Sequence, residues 1–111
     1  RELAYAGQNE NALKILAAMQ EGDSDRVLTY KGFASRKAGR VEEGMAFYNA
    51  ALVKNPDNIL ARSYMGQGLV EQGEIYLASL QLSEIRTRGG SGTWAEQSLA
   101  DAIETGVTYS Y

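Results

Sequence analysis

Two stretches of eight residues, GFASRKAG at 32–39 and GQGLVEQG at 66–73, decide the fold of this chain. Each stretch begins and ends with glycine, and the two lie 34 residues apart. A period of roughly 20–50 residues indicates stacked structural repeats, and about 34 is the length of a helix–turn–helix unit. The sequence therefore predicts an all-α protein built from consecutive helix pairs.

The period divides most of the chain into two full copies, residues 25–58 and 59–92. When the copies are superposed, Tyr30 falls on Tyr64, and the other matches concentrate at small and apolar positions. Neighbouring repeats constrain only the buried face of each unit, so this distribution is typical of repeat packing.

Two further segments flank the full copies. Residues 1–24 are predicted to form a partial copy, because Ala12, Leu16 and Met19 recur on one face of a helix. A solenoid leaves the apolar face of its last repeat uncovered, so residues 93–111 are predicted to be a capping helix and tail. Within that segment, the aromatic residues are expected to pack in the cap: Trp94, Tyr109 and Tyr111.

Periodicity and stop signals predict seven helices and no strands. Gly39 and Gly73 are expected to end the first helix of each copy, since glycine adopts the left-handed conformation at little cost. Pro56 lies where a helix has already ended. Thr93 and Glu96 form a predicted capping box, in which hydroxyl and carboxylate satisfy backbone donors reciprocally. The predicted helices lie near 2–6, 9–21, 24–38, 41–54, 58–72, 74–88 and 93–105.

Composition excludes several classes of function. The 111 residues include neither cysteine nor histidine, which removes disulfides, thiol chemistry, Cys/His zinc sites and imidazole catalysis. The formal net charge is −3 without a basic block, so nucleic acid is not an expected partner. No apolar run reaches the roughly 18 residues of a membrane span.

Two short features resemble functional motifs but are predicted to be structural. Glu42 and Glu43 are adjacent, and residues i and i+1 diverge on a helix, so they are not expected to act as a catalytic pair. Residues 89–92, Gly-Gly-Ser-Gly, form a flexible linker in this interpretation, because a phosphate loop would end in Gly-Lys-Ser/Thr after a strand. We therefore expect no catalytic residue, no metal and no cofactor.

Small, apolar and aromatic residues occupy particular places in each copy, and four of these places, the eighth, twentieth, twenty-fourth and twenty-seventh, are filled in this way in both copies. The residues are Leu28, Gly32, Gly44, Tyr48, Ala51 and Pro56 in the first copy, and Met65, Gly66, Leu69, Ala78, Leu82 and Ile85 in the second. In this pattern the chain resembles the tetratricopeptide repeat (TPR) family, and small bacterial TPR proteins in particular. The resemblance implies a right-handed superhelical stack of antiparallel helix pairs, with Gly32 and Gly66 as close-packing sites between the helices of each repeat.

The sequence departs from the family pattern at three places that are normally apolar, occupied here by Lys31, Ser35 and Arg62. We expect Lys31 to lay its stem along the core and to extend its ammonium group into solvent. The alternative is a polar seam that a partner or ligand completes.

The resemblance also implies a concave groove that binds an extended peptide or a partner helix. Its groove-facing places are the second, fifth, ninth, twelfth and thirteenth of each repeat. They hold Arg26, Thr29, Phe33, Arg36 and Lys37 in the first copy, and Leu60, Ser63, Gln67, Val70 and Glu71 in the second. Phe33 beside Arg36 and Lys37 would suit a peptide with an apolar anchor and negative charge. The Lys and Asn residues with which co-chaperone TPR domains clamp a carboxylate are missing, so chaperone C-termini are not expected partners.

Three functions remain open at this point. The first is a non-enzymatic protein–protein interaction module that acts as a scaffold or adaptor. The second is a self-association unit that forms a homo-oligomer, and the third is a regulatory domain of a larger protein. The chain begins at Arg1, which suggests a fragment or a processed product. Bacterial cytoplasm and periplasm both stay open as locations, and the resemblance to exported bacterial proteins slightly favours the latter.

Overall fold

A computed structural model describes residues 22–108 of the chain. Over this range the backbone forms five helices and no strand, which confirms the all-α class for the described residues. The helices are α1 (Asp25–Lys37), α2 (Val41–Lys54), α3 (Ile59–Glu71), α4 (Ile75–Thr87) and α5 (Trp94–Thr105). The predicted helices near 2–6 and 9–21 lie outside the described residues, as do Tyr109 and Tyr111.

The chain divides into two compact units, Arg1–Asn55 and Pro56–Tyr111, which we call unit 1 and unit 2. Unit 1 contains α1 and α2, and unit 2 contains α3, α4 and α5. Each full copy of the repeat therefore contributes one helix pair to one unit.

The turns that close α1 and α3 have the same geometry. Gly39 and Gly73 follow the two helices with φ of +90° and +81°, a conformation in which glycine avoids the penalty of a Cβ. The backbone N–H groups of Arg40 and Glu74 each donate across the turn at 2.8 Å, to the carbonyls of Ser35 and Leu69 respectively. The N–H groups of the two glycines also donate at 3.0 Å, Gly39 to the carbonyl of Arg36 and Gly73 to that of Val70. The two bonds together define a Schellman C-cap, so both turns satisfy carbonyls of the last helical turn.

Helix α5 continues the 34-residue spacing of the repeat. The three helices α1, α3 and α5 end at Lys37, Glu71 and Thr105, which are 34 residues apart in both steps. Their N-caps are Ser24, Asn58 and Thr93, and each side chain accepts from a backbone N–H of the first turn. In its bounds and caps, α5 therefore corresponds to the first helix of a copy, although the sequence assigned it only a capping role.

In unit 1, α1 and α2 approach so closely that their backbones nearly touch. A Cβ on Gly44 would lie 2.7 Å from the carbonyl oxygen of Gly32, and a Cβ on Gly32 would lie 2.7 Å from the ring of Tyr48. Tyr48 and Leu28 are fully buried beside this contact. The two helices can come this close because neither glycine has a side chain.

In unit 2, α3 is the central helix, and residues 61–68 are all buried. It packs against both α4 and α5, which also contact each other. A Cβ on Gly66 would lie 2.6 Å from Cδ2 of the fully buried Leu99 in α5. The sequence placed Gly66 between the two helices of its own repeat, but its nearest neighbour comes from α5, because that helix packs directly on α3.

The loop between α4 and α5 is a hydrogen-bonded turn. Gly90 is buried and its N–H donates to the carbonyl of Ile85 at 2.8 Å, while the Thr93 hydroxyl donates to the carbonyl of Gly90 at 2.6 Å. The N–H of Gly92 donates to Glu96 Oε1 at 2.9 Å. Small residues here allow the close backbone contacts of this turn.

The N-terminus of α5 is capped by a variant of the predicted capping box. The Thr93 hydroxyl accepts from the N–H of Glu96, as the sequence indicates. The Glu96 carboxylate, however, reaches the N–H of Gly92, one residue before the expected Thr93, and also accepts from Arg86 Nε at 2.8 Å. The Thr93 N–H instead donates to the carbonyl of Gly90.

These contacts predict that the stability of unit 2 depends on the charge of Glu96. The Gly92 N–H, followed by the Arg86 hydrogen bond, lowers the pKa of Glu96 below its ordinary value of 4.5. A carboxyl group whose pKa is lower in the folded state stabilises the fold above its unfolded pKa, and this contribution is lost as the pH falls through the folded value. We therefore expect Glu96→Gln to reduce stability towards urea at pH 7 and to have a shrinking effect below about pH 4. An equal effect of the substitution at pH 7 and pH 3 would contradict this cause.

Candidate functional site

The groove-facing residues predicted in the first copy divide into exposed and buried ones. Arg26 and Lys37 are exposed, and Phe33 is half-buried. Thr29 and Arg36 are buried. The Thr29 hydroxyl donates to the carbonyl of Asp25 at 2.7 Å, and Arg36 Nε donates to the hydroxyl of Tyr48 at 3.3 Å. Arg36 therefore links α1 to α2, whereas the Thr29 bond lies within α1, and neither buried side chain lines a surface.

The structure does bring Phe33 together with its two cationic neighbours. The guanidinium carbon of Arg36 lies 5.5 Å from the centroid of the Phe33 ring, and Lys37 Nζ lies 5.6 Å from it. Both distances are within the range of cation–π attraction. Because Arg36 is buried, Lys37 is the cation that Phe33 presents to solvent.

In the second copy, most of the predicted groove-facing residues lie beneath α5. Ser63, Gln67 and Val70 are buried, Leu60 is half-buried and Glu71 is exposed. Gln67 Nε2 donates to Ser98 Oγ in α5 at 2.9 Å and to Ser63 Oγ at 3.3 Å. These polar groups therefore fix α5 on α3, which the sequence did not anticipate because it placed the last helix on the apolar face.

The residues that depart from the family pattern find partners within the fold. Lys31 Nζ lies 2.5 Å from a carboxylate oxygen of Asp23, so the ammonium group reaches the surface as expected. The hydroxyl of the buried Ser35 donates to Glu43 Oε2 at 2.9 Å, and Arg40 Nε donates to the same oxygen at 3.0 Å. Glu43 is thus buried while Glu42 is exposed, and the two adjacent carboxylates diverge.

Arg62 is likewise bound internally. Its Nε donates to the carbonyl of Pro56 and its Nη1 to Gln81 Oε1, both at 3.0 Å. Burial, followed by the positive charge of Arg88, lowers the pKa of Arg62. The guanidinium therefore ties the loop before α3 to α4.

An open pocket of about 400 Å³ lies along α5 in unit 2. Four of its residues share one face of the helix, since they are spaced by three or four positions, and Ser98 lies beside them. The segment after the helix supplies the other wall, where the Thr108 hydroxyl lies 2.5 Å from Glu71 Oε2 at the end of α3. The lining residues are Trp94, Gln97, Ser98, Asp101, Thr105, Val107 and Thr108.

Trp94 is the largest side chain of this pocket, and its position is fixed from below. Its ring meets that of the buried Tyr64 edge to face, with centroids 6.0 Å apart and an interplanar angle of 75°. The residue nevertheless remains 45% exposed. An aromatic surface that is both held in place and accessible is typical of binding anchors.

The spacing of the residues that line this pocket is a sequence pattern that could have predicted it. When places are counted from Thr93, Trp94, Gln97, Asp101 and Thr105 hold the second, fifth, ninth and thirteenth. In the other two copies, the TPR resemblance predicts that residues at these places face a groove. Treating residues 93–111 as a cap rather than as a continuation of the repeat concealed the correspondence.

The comparisons with known proteins do not identify a relative: no protein-family model, curated protein or solved structure matches the chain. Between residues 22 and 108, every helix is too short or too polar to cross a membrane. Over the same residues, no three acidic side chains lie together in a way that could hold a metal ion.

Proposed function

We propose that the protein is a non-enzymatic protein–protein interaction module of the TPR type, which binds a segment of a partner protein along the first helix of a repeat. The observation that supports this proposal most directly is the pocket on α5, because four of its seven lining residues occupy places that the TPR resemblance predicts to face a groove. Its volume of about 400 Å³ falls within the roughly 300–1,000 Å³ of common ligand sites.

The chemistry of the pocket suits binding without reaction. Trp94 offers an apolar surface, whereas Gln97, Ser98 and Asp101 offer hydrogen-bonding groups around it. Affinity in such a site comes from a few anchors on a preformed surface, because little conformational freedom is lost on binding. The packing of Leu99 against Gly66 of α3 and the hydrogen bond from Gln67 of α3 to Ser98 keep α5, and with it the pocket, in place.

The first copy would contribute a second contact surface of different charge. Its accessible members are Arg26, Phe33 and Lys37, which offer an aromatic ring and two cations. This surface retains the preference for negative charge predicted from the sequence, and it belongs to unit 1.

Self-association is the second candidate, and the outer side of α4 favours it. Tyr76 is 75% exposed and Leu80 is 44% exposed, although both are large and apolar in character. A partner copy could cover them by burying apolar area. In this case the protein would act as an assembly unit.

We expect Trp94→Ala to weaken partner binding at least tenfold, since removal of a central aromatic anchor commonly costs about 2 kcal/mol or more. Peptides selected by display on the wild-type protein provide the ligands, and isothermal titration measures the affinities. Helical circular dichroism should stay unchanged, because Trp94 is partly exposed and Tyr64 retains its other contacts.

Tyr76→Ala is the matched control, since it removes an exposed aromatic residue outside the pocket. It should leave peptide affinity unchanged. Equal losses in the two variants, or selection that yields no binding peptide, would contradict the proposal. A change of oligomeric state in Tyr76→Ala alone would favour self-association through α4.

A further inference from the structure

The two units differ in charge. Unit 2 carries a formal charge of −4, whereas unit 1 carries +1, which together give the −3 of the chain. The charged residues of unit 2 are Asp57, Glu71, Glu74, Glu84, Glu96, Asp101 and Glu104 on the acidic side, and Arg62, Arg86 and Arg88 on the basic side. A ligand of unit 2 therefore meets an excess of negative charge.

None of the three arginines neutralises the pocket, because each is bound elsewhere and none is among the pocket residues that the structure describes. Their contacts are Arg86 to Glu96 at 2.8 Å, Arg88 to Asp57 at 2.7 Å and to Glu84 at 2.9 Å, and Arg62 to Pro56 and Gln81. The charged groups at the pocket are thus carboxylates: Asp101 in its lining and Glu71 behind Thr108.

Asp101 is placed to accept a cation. Gln97 Nε2 donates to its Oδ1 at 2.8 Å, which orients the carboxylate. Among the described residues, Oδ2 has no hydrogen-bond partner, and the side chain is exposed. A lysine or arginine of a bound segment can therefore reach this oxygen without displacing an existing contact.

Trp94 and Asp101 set a distance for the ligand. They are seven residues apart on α5, which corresponds to about 10 Å along the helix axis. In a polyproline-II-like segment, residues i and i+3 lie about 9 Å apart on the same side of the chain. An extended ligand can thus place one side chain on Trp94 and the other at Asp101.

We propose that the α5 pocket recognises a short extended segment of a partner protein in which an apolar side chain and a lysine or arginine are three residues apart. This inference rests on the proposed function and adds the charge and spacing of the ligand. The apolar side chain packs on Trp94, and the cation binds Asp101. Acidic segments are rejected, because Asp101 and Glu71 repel them.

Three fluorescein-labelled, proline-rich decapeptides test the charge preference. Each carries one leucine, and three residues later a lysine, a glutamine or a glutamate. In fluorescence anisotropy at low salt, we expect the lysine peptide to bind about two- to fivefold more tightly than the glutamate peptide, as exposed ion pairs allow. The difference should shrink at high salt through screening. A fourth peptide, with leucine and lysine adjacent, should bind more weakly because it cannot reach both residues.

Three substitutions identify the residue that causes the preference for a lysine peptide. Asp101→Asn should bind the three peptides about equally, and Trp94→Ala should weaken all of them. Glu74→Gln, which removes an exposed carboxylate at the start of α4, should retain the wild-type order.

The outcomes separate the two proposals. If no peptide binds, the proposed function of this pocket fails. If all three bind equally and depend on Trp94, the module stands and the charge inference is overturned. If light scattering shows self-association that Asp101→Asn abolishes, a second copy occupies the pocket and the peptide assignment is wrong.

Discussion

Leu99→Ala is expected to lower the free energy of unfolding of unit 2 by about 3 kcal/mol, within the roughly 2–5 kcal/mol found for buried leucines. Leu99 is fully buried, and its methyl groups fill the space that Gly66 leaves on α3. Truncation removes apolar contacts and opens a cavity that a close-packed helix pair cannot fill by relaxing. Urea unfolding followed by circular dichroism measures the change.

Two further variants test this cause. Leu80→Ala removes the same atoms from a half-exposed site on α4 and should cost less than about 1 kcal/mol.

Gly66→Ala should destabilise the wild-type protein, because its Cβ would lie 2.6 Å from Leu99 Cδ2. In the Leu99→Ala protein the same change should stabilise, since the obstacle is gone and alanine favours helix by about 1 kcal/mol over glycine. Additive effects of the two changes would show that Leu99 does not contact α3 at Gly66.

The helices themselves follow from local sequence. Each predicted helix from 24–38 to 93–105 agrees with the observed bounds to within one residue at either end. The reason is that caps and stops act within a few residues: Asn58 accepts from the N–H of Ala61, and Gly73 supplies the positive φ after α3. Such signals do not depend on which helix packs against which.

The α5 pocket depends on tertiary packing, and for that reason none of its lining residues was among the groove residues predicted from the sequence. Gln67 and Ser63 hold groove-facing places, yet they are buried because α5 lies on α3 and Ser98 accepts from Gln67. From the sequence alone, these polar side chains are compatible with a solvent-exposed surface and with a polar contact between helices. Only the position of α5 decides between the two. Because α5 covers these residues of α3, the exposed side chains are instead Trp94 and Asp101 of α5.

We expect Gly44→Ala to destabilise unit 1 by about 2 kcal/mol, although alanine is the better helix former. The propensity gain is about 1 kcal/mol, but the new Cβ would lie 2.7 Å from the carbonyl oxygen of Gly32. It would also lie 3.0 Å from the backbone nitrogen and the Cβ of Arg36. These atoms cannot move by side-chain rotation, so α1 and α2 must separate, and we expect an overpacking cost of about 3 kcal/mol, at the upper end of the usual range. Subtraction of the propensity gain leaves a net loss of about 2 kcal/mol.

The separation of the helices has a spectroscopic consequence that distinguishes it from a local helix effect. Tyr48 is fully buried against Gly32, so a shift of α2 away from α1 should weaken the near-ultraviolet circular dichroism of its ring. Asn49→Ala, on the exposed side of the same helix, should leave that signal intact and stabilise slightly through helix propensity. If Gly44→Ala behaved like Asn49→Ala in both measurements, the two helices would tolerate a wider separation, and the close contact at Gly32 would not be what stabilises unit 1.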